Sequence, residues 1–144
     1  MSDMSDLPEE KAFVQRRVLR DSEKDPPQVQ QDIESQLKSH DFDKDAMWAI
    51  RLALEEGIAN AFTHGNKRDP KKSVEFYCRI DNTHAVFEVC DEGAGFDPGT
   101  VPDPTDEENI EIPSGRGIML MRAYMDEVSY LTPGNRLRMV YRKK

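Results

Sequence analysis

Glu56 and Asn60 stand four residues apart in the run LALEEGIANAFTHGN, residues 52–66, a carboxylate and a carboxamide one turn apart on an otherwise largely apolar helix. At ~100° of rotation per residue, Glu56, Asn60, Thr63 and His64 form a polar stripe interrupted by Leu52, Ala53 and Ala59. Such groups are costly to bury unless something binds them. Capping or hydrogen bonding to nearby backbone would satisfy both. The chemical alternative is that Asn60 offers a neutral oxygen to a Mg²⁺ ion otherwise held by phosphates and water, while Glu56 orients or deprotonates an attacking hydroxyl.

Two glycine-bearing stretches follow. Asp91-Glu-Gly93-Ala-Gly95 lies at the end of a strand-like segment. It reads as a plain turn, or as a carboxylate accepting a hydrogen bond from the exocyclic amine of a base, with glycines that let a planar ring lie against the backbone. Ser114-Gly115-Arg116-Gly117 precedes the apolar run IMLMRAYM. Glycines at a helix start expose N–H groups that, with the helix dipole, suit phosphate; close packing is the other use. The third glycine of a Rossmann fingerprint is missing, and no Gly-Lys-Ser or Gly-Lys-Thr makes a Walker loop.

These groups need elements to hold them. FVQRRVLR, residues 13–20, reads as a strand at a sheet edge, given its three arginines. Pro26 and Pro27 open a helix with Asp25 as N-cap and Val29, Ile33 and Leu37 on one stripe, ending near Ser39. DFDKD, residues 41–45, lacks the glycine and glutamate a calcium loop requires, since Ala46 and Leu52 occupy those places, and reads as the acidic first turn of the central helix. That helix runs to about His64, with Met47, Ile50, Leu54, Ile58 and Ala61 as its apolar face, Trp48 and Phe62 extending it, and Gly65 and Asn66 as its stop. His64 stabilises the helix end and is left out of the site. Segments 73–80 and 84–90 form a hairpin around Asp81 and Asn82. A long loop follows, with Pro98, Pro102, Pro104, Pro113 and six acidic residues from Asp97 to Glu111 but no basic one. A third helix spans 115 to about 125. Strands near 127–131 and 136–141 flank Pro133, Gly134 and Asn135. The expected fold is α+β: a two-layer sandwich with a mostly antiparallel, mixed five-stranded sheet and three helices on one face. The basic C-terminus, with Arg136, Arg138, Arg142, Lys143 and Lys144, reads as an exposed edge strand protected by charge, with a partner surface as the alternative.

The 144 residues suit one domain with a real core. A net charge of −8 argues against non-specific attachment to nucleic acid or an anionic membrane. Neither a signal peptide nor a membrane-length apolar run is visible, so a soluble cytoplasmic protein is expected. Cys78 and Cys90 fall in neighbouring strands. A disulfide is conceivable, and two buried thiols are the simpler reading.

The order of a Glu-x-x-x-Asn helix, a strand-end Asp-x-Gly-x-Gly and a Gly-x-Gly helix start, with the HGN turn and the MDEV segment at 125–128, resembles the GHKL ATPases of the Bergerat fold. The likeness is to their small branch of anti-sigma factors and serine protein kinases, and it covers nearly the whole chain. The resemblance implies Glu56 as general base and Asn60 as magnesium ligand. It implies Asp91 on the adenine amine, Gly93 and Gly95 along the base, and Ser114, Gly115, Arg116 and Gly117 at the phosphates of ATP. Residues 1–10 would be a flexible N-terminus, 11–144 one ATPase domain and 96–114 its lid. The lid's acidic residues would keep it mobile unless a basic partner surface neutralises them. The implied activity is transfer of the γ-phosphate to a serine of a small antagonist protein, with a sigma factor held separately through a homodimer. Where members of the branch can carry an arginine before the Ser-Gly pair, this chain has Pro113. The alternative is a nucleotide-gated binding module without phosphotransfer. The ATP-binding half of a sensor histidine kinase fits least, because His40, His64 and His84 offer no phosphoacceptor on a dimerising hairpin.

Overall fold

The computed structural model describes residues 12–93, 115–131 and 135–144, without the side chain of Arg116. Residues 1–11, 94–114 and 132–134, which include the expected lid, Gly95, Ser114, Pro133 and Gly134, lie outside that description.

The elements run β1 (Phe13–Leu19), α1 (Asp25–Ser39), α2 (Lys44–Asn60), a π-turn (Ala61–Gly65), β2 (Val74–Ile80), β3 (His84–Cys90), α3 (Gly115–Tyr124), β4 (Glu127–Leu131) and β5 (Arg136–Arg142). The five strands form one sheet in the order β1-β2-β3-β5-β4. Its four pairings are all antiparallel, so the expected mixed sheet narrows to an antiparallel one. Alternation aims one side of each strand inward. Leu19, Val74, Phe76, Cys78, Ile80, Ala85, Phe87, Val89, Leu137, Met139 and Tyr141 meet Val29, Ile33 and Leu37 of α1, Ile50, Leu54 and Ile58 of α2, and Ile118 and Met121 of α3. Each large aliphatic side chain buried here contributes about 1.5–3 kcal/mol. This layer fixes α2 over the sheet and α3 against α2.

Several local expectations change. Asp25 is the first helical residue of α1 rather than its cap, and its carboxylate accepts from the N–H groups of Arg20 and Asp21 at 2.7 and 2.9 Å. The preceding turn is closed instead by Asp21, which accepts from Glu23 and Lys24. At its other end α1 stops in a Schellman turn: Phe42 N–H reaches Leu37 O at 3.0 Å, with Asp41 left-handed at φ 62° where glycine is usual. Asp43, in the acidic turn, caps α2 by accepting from Ala46 N–H at 2.8 Å. Trp48, expected on the apolar face, is 59% exposed and lines a groove of about 1020 Å³ between α1 and α2 with Met47, Pro27 and Phe62. The C-terminal strand is no edge. β5 pairs with β3 and β4, and its arginines lie on the outer sheet face, Arg136 bridging Glu88 at 3.0 Å and Arg142 pairing with Glu127. The sequence pattern misleads because charge on one face of an interior strand looks like charge guarding an edge. Cys78 and Cys90 are free and lie on opposite faces: Cys78 is buried in the core, where burial pushes its thiol up to about 12, and Cys90 is half-buried on the outer face.

The β2–β3 turn depends on Asp81, whose side chain is 5% exposed. It accepts from the N–H groups of Thr83 and His84 at 2.8 and 2.9 Å and from the Thr83 hydroxyl at 2.9 Å, and it pairs with Arg79. Burial pushes its carboxyl up, but the hydrogen bonds from His84, Thr83 and Arg79 outweigh it and hold the group well below the usual range. Replacing Asp81 by Ala is expected to cost about 3 kcal/mol at pH 7. A depressed folded pKa contributes stability above the unfolded value of 3.8 and loses it as pH falls toward the folded one. Urea unfolding of both proteins should therefore show the gap narrowing below pH 4; a pH-independent gap would refute the ionic account.

Candidate functional site

Glu56 and Asn60 close the last turns of α2. Glu56 is half-buried and Asn60 is 8% exposed. The Asn60 carboxamide nitrogen is buried without a well-formed hydrogen bond, and the Tyr130 hydroxyl is the polar group beside it. Beyond Asn60 the chain widens into the π-turn, a feature that recurs at functional sites. The sequence suggests a regular helix to His64; the π-turn replaces its last turn.

Tyr130, on the inner face of edge strand β4, is absent from the residues singled out by sequence. Burial pushes its phenol up to about 12, the Asn60 carboxamide is its polar neighbour, and Asp91, Arg122 and Glu56 lie within electrostatic reach. The Tyr130 hydroxyl therefore sits beside Asn60 of α2 and within the electrostatic field of Asp91 and Arg122. A Tyr in the short alternating run EVSYL gives no sign of that role.

Asp91 leaves the end of β3. Its N–H donates to Asn135 O at 3.0 Å, and its own carbonyl accepts from the Asn135 side chain at 3.0 Å. Its Oδ1 accepts from Gly93 N–H at 2.7 Å, which leaves Oδ2 as the acceptor for a ligand. Burial raises the Asp91 carboxyl above its ordinary value, against the pull of the Gly93 N–H and of Lys72. Glycine is required around it by close approach rather than by turn type. A Cβ on Gly65 would stand 2.1 Å from the Asp91 carboxyl carbon, and one on Gly93 would stand 2.2 Å from Gly65 O. Gly65, read from sequence only as a helix stop, is thus the wall behind the carboxylate.

α3 begins at Gly115, so its first N–H groups lie within the Gly115-Arg116-Gly117 stretch, and Gly117 is buried. No group of three or more acidic, histidine or cysteine side chains able to cage a metal occurs among the described residues. The donor set still fits magnesium, which keeps water and phosphate ligands and takes one hard oxygen such as that of Asn60. The buried Asn60 carboxamide and the glycine-walled Asp91 carboxylate are polar groups available to a ligand. Of the residues singled out in the sequence, Glu56, Asn60, Asp91 and Gly93 converge here. Gly95 and Ser114 lie outside the described residues.

A glycine-bearing helix start and a strand-end carboxylate on an antiparallel sheet, with the described helices packed on one face, match the Bergerat-type ATP-binding fold rather than a Rossmann or P-loop one. The chain matches the family of histidine kinase-like ATPase domains over residues 21–141, and it belongs to that family. Its relatives include the anti-sigma F factors of Geobacillus thermodenitrificans, 32% identical over 103 residues, and of Geobacillus stearothermophilus, 31% identical over 103 residues. That of Oceanobacillus iheyensis is 25% identical. Each alignment covers 69% of this chain and 70% of the relative. Fold and family are those of ATP-binding regulatory protein kinases on the anti-sigma-factor branch. Among the described residues no helix is long and apolar enough to cross a membrane.

Proposed function

We propose that this chain binds ATP between the end of α2, the 91–93 turn and the start of α3, and transfers its γ-phosphate to a serine of a small antagonist protein. Glu56 accepts the proton of the attacking hydroxyl as its oxygen bonds to the γ-phosphorus; the bond to the bridging oxygen breaks and ADP leaves. Asp91 accepts from the adenine amine, Gly93 and Gly95 line the base, and Ser114, Gly115, Arg116 and Gly117 hold the phosphates. Asn60 would hold magnesium, which would supply charge neutralisation at the phosphates. The carrying observation is the buried Asn60 carboxamide, one turn from Glu56 and beside the Tyr130 hydroxyl, with Asp91 near enough to act on that hydroxyl electrostatically. The same reading includes residues 11–144 as one domain with a lid at about 96–114, a sigma factor held by a homodimer, and a cytoplasmic location. It includes no direct contact with nucleic acid or membrane, in keeping with a net charge of −8.

Calorimetric titration with ATP, with and without magnesium, tests the site. Wild-type binding is expected to need magnesium, and Asn60→Ala to weaken it by about 10-fold or more with loss of the magnesium dependence. Absence of ATP binding by the wild type would overturn the reading.

A further inference from the structure

Asn66 follows the π-turn and is 1% exposed. Its backbone is right-handed at φ −85°, a conformation open to most residues, so the turn itself does not demand asparagine. What demands it is the side chain. Nδ2 donates to Ser73 O at 2.9 Å just before β2, and Oδ1 accepts from Glu92 N–H at 2.7 Å, in the middle of the Asp91–Gly93 turn. The Asn66 N–H in turn closes the π-turn on Ala61 O at 2.8 Å. One buried carboxamide thus joins the end of the α2 segment, the start of β2 and the turn that carries Asp91. The chain then passes through two left-handed non-glycine residues, Lys67 at φ 52° and Arg68 at φ 59°, a conformation that persists only where surrounding contacts impose it. Gly65, immediately before Asn66, is the wall against the Asp91 carboxylate.

We propose that Asn66 is a positioning residue that sets nucleobase specificity: by holding Glu92 N–H it fixes the 91–93 turn so that Asp91 Oδ2 faces the exocyclic amine of the base. This rests on the reading of Asp91 as the base acceptor. It differs from a bracing role because the turn has other ties. Glu92 accepts from Ser73 N–H at 2.5 Å, and Asn135 holds the Asp91 backbone through two hydrogen bonds. Those contacts keep the turn folded when Asn66 is replaced, while the aim of the carboxylate is lost.

The test compares ATP with purine riboside triphosphate, the same nucleotide without the exocyclic amine, both with magnesium. Wild type is expected to prefer ATP by about 100-fold. Asn66→Ala should weaken ATP binding about 10-fold or more and leave the deamino nucleotide within about 3-fold, so that the preference falls to about 10-fold or less. If the alanine variant does not fold by circular dichroism, Asn66→Ser, whose hydroxyl is too short to reach Glu92, carries the same comparison. A preference that survives while both affinities fall together would overturn the proposal and leave Asn66 a brace of the fold. A wild type without preference would remove the Asp91 reading, and this proposal with it.

Discussion

Glu56→Gln is expected to abolish phosphate transfer while leaving ATP affinity within about 3-fold of wild type. The substitution is isosteric, and glutamine suits a helix as well as glutamate does, so α2 should keep its position and stability should change by less than about 0.5 kcal/mol. What disappears is the proton acceptor. A positioned general base accounts for about 10²–10⁴ in rate, so single-turnover transfer to a serine-bearing antagonist protein should fall by at least that lower bound. The placement of Glu56 supports the assignment. It shares the polar stripe of Asn60 one turn further on, and it lies within electrostatic reach of Tyr130, beside which the Asn60 carboxamide sits. A base on a packed helix is held more firmly than one on a loop, because Ile50, Leu54 and Ile58 lock the other face of α2 into the core. Transfer that persists in the variant would reassign the base. A wild type that binds ATP, transfers nothing and still regulates its partner would favour a nucleotide-gated binding module, a reading to which Pro113 in the phosphate segment already lends weight.

How much of this is legible in the sequence depends on the range of the interaction that decides it. The three-and-four spacing of Val29, Ile33 and Leu37 and the alternation in VEFYCRI and HAVFEVC place α1, β2 and β3 to within a residue, because those patterns answer to one local surface. Strand order is not readable for β5. Arg136, Arg138 and Arg142 mark an outward face, and only the return of the chain after α3 decides that this strand lies between β3 and β4. Trp48 stands where the apolar stripe of α2 meets the boundary with α1, a place where spacing alone cannot tell core from groove. In the site, Glu56, Asn60 and Asp91 are visible because their types are expensive in apolar settings. Tyr130, Asn135, Asn66 and Gly65 are not. Each acts across the fold on a residue far away in sequence, and each has an adequate local explanation as strand, turn or helix stop that conceals its tertiary one.

The second large effect concerns Asp91, and it has opposite signs for binding and for folding. In Asp91→Asn the new carboxamide would keep an oxygen for Gly93 N–H but present an amide donor where the ligand needs an acceptor. The variant is therefore expected to weaken ATP binding about 100-fold or more, since a buried donor would face the donor of the base amine. Stability should move the other way. Burial raises the folded pKa of Asp91 above its unfolded value of 3.8, so the native state holds the extra proton across that window. Its stability is then fully present below 3.8 and falls as pH rises through the folded pKa. At pH 7 the ionised carboxylate costs the empty fold free energy that the neutral amide does not. The variant should unfold at the same or higher denaturant concentration than wild type at pH 7, with the difference closing near pH 4. A variant that loses both ATP and stability at pH 7 would mean that the Asp91 carboxylate holds the turn together. One that keeps ATP would mean that the base lies elsewhere. A stable protein that has lost its nucleotide is the outcome that ties the buried charge to binding, because the wild-type fold would then be carrying an electrostatic cost that only the ligand relieves.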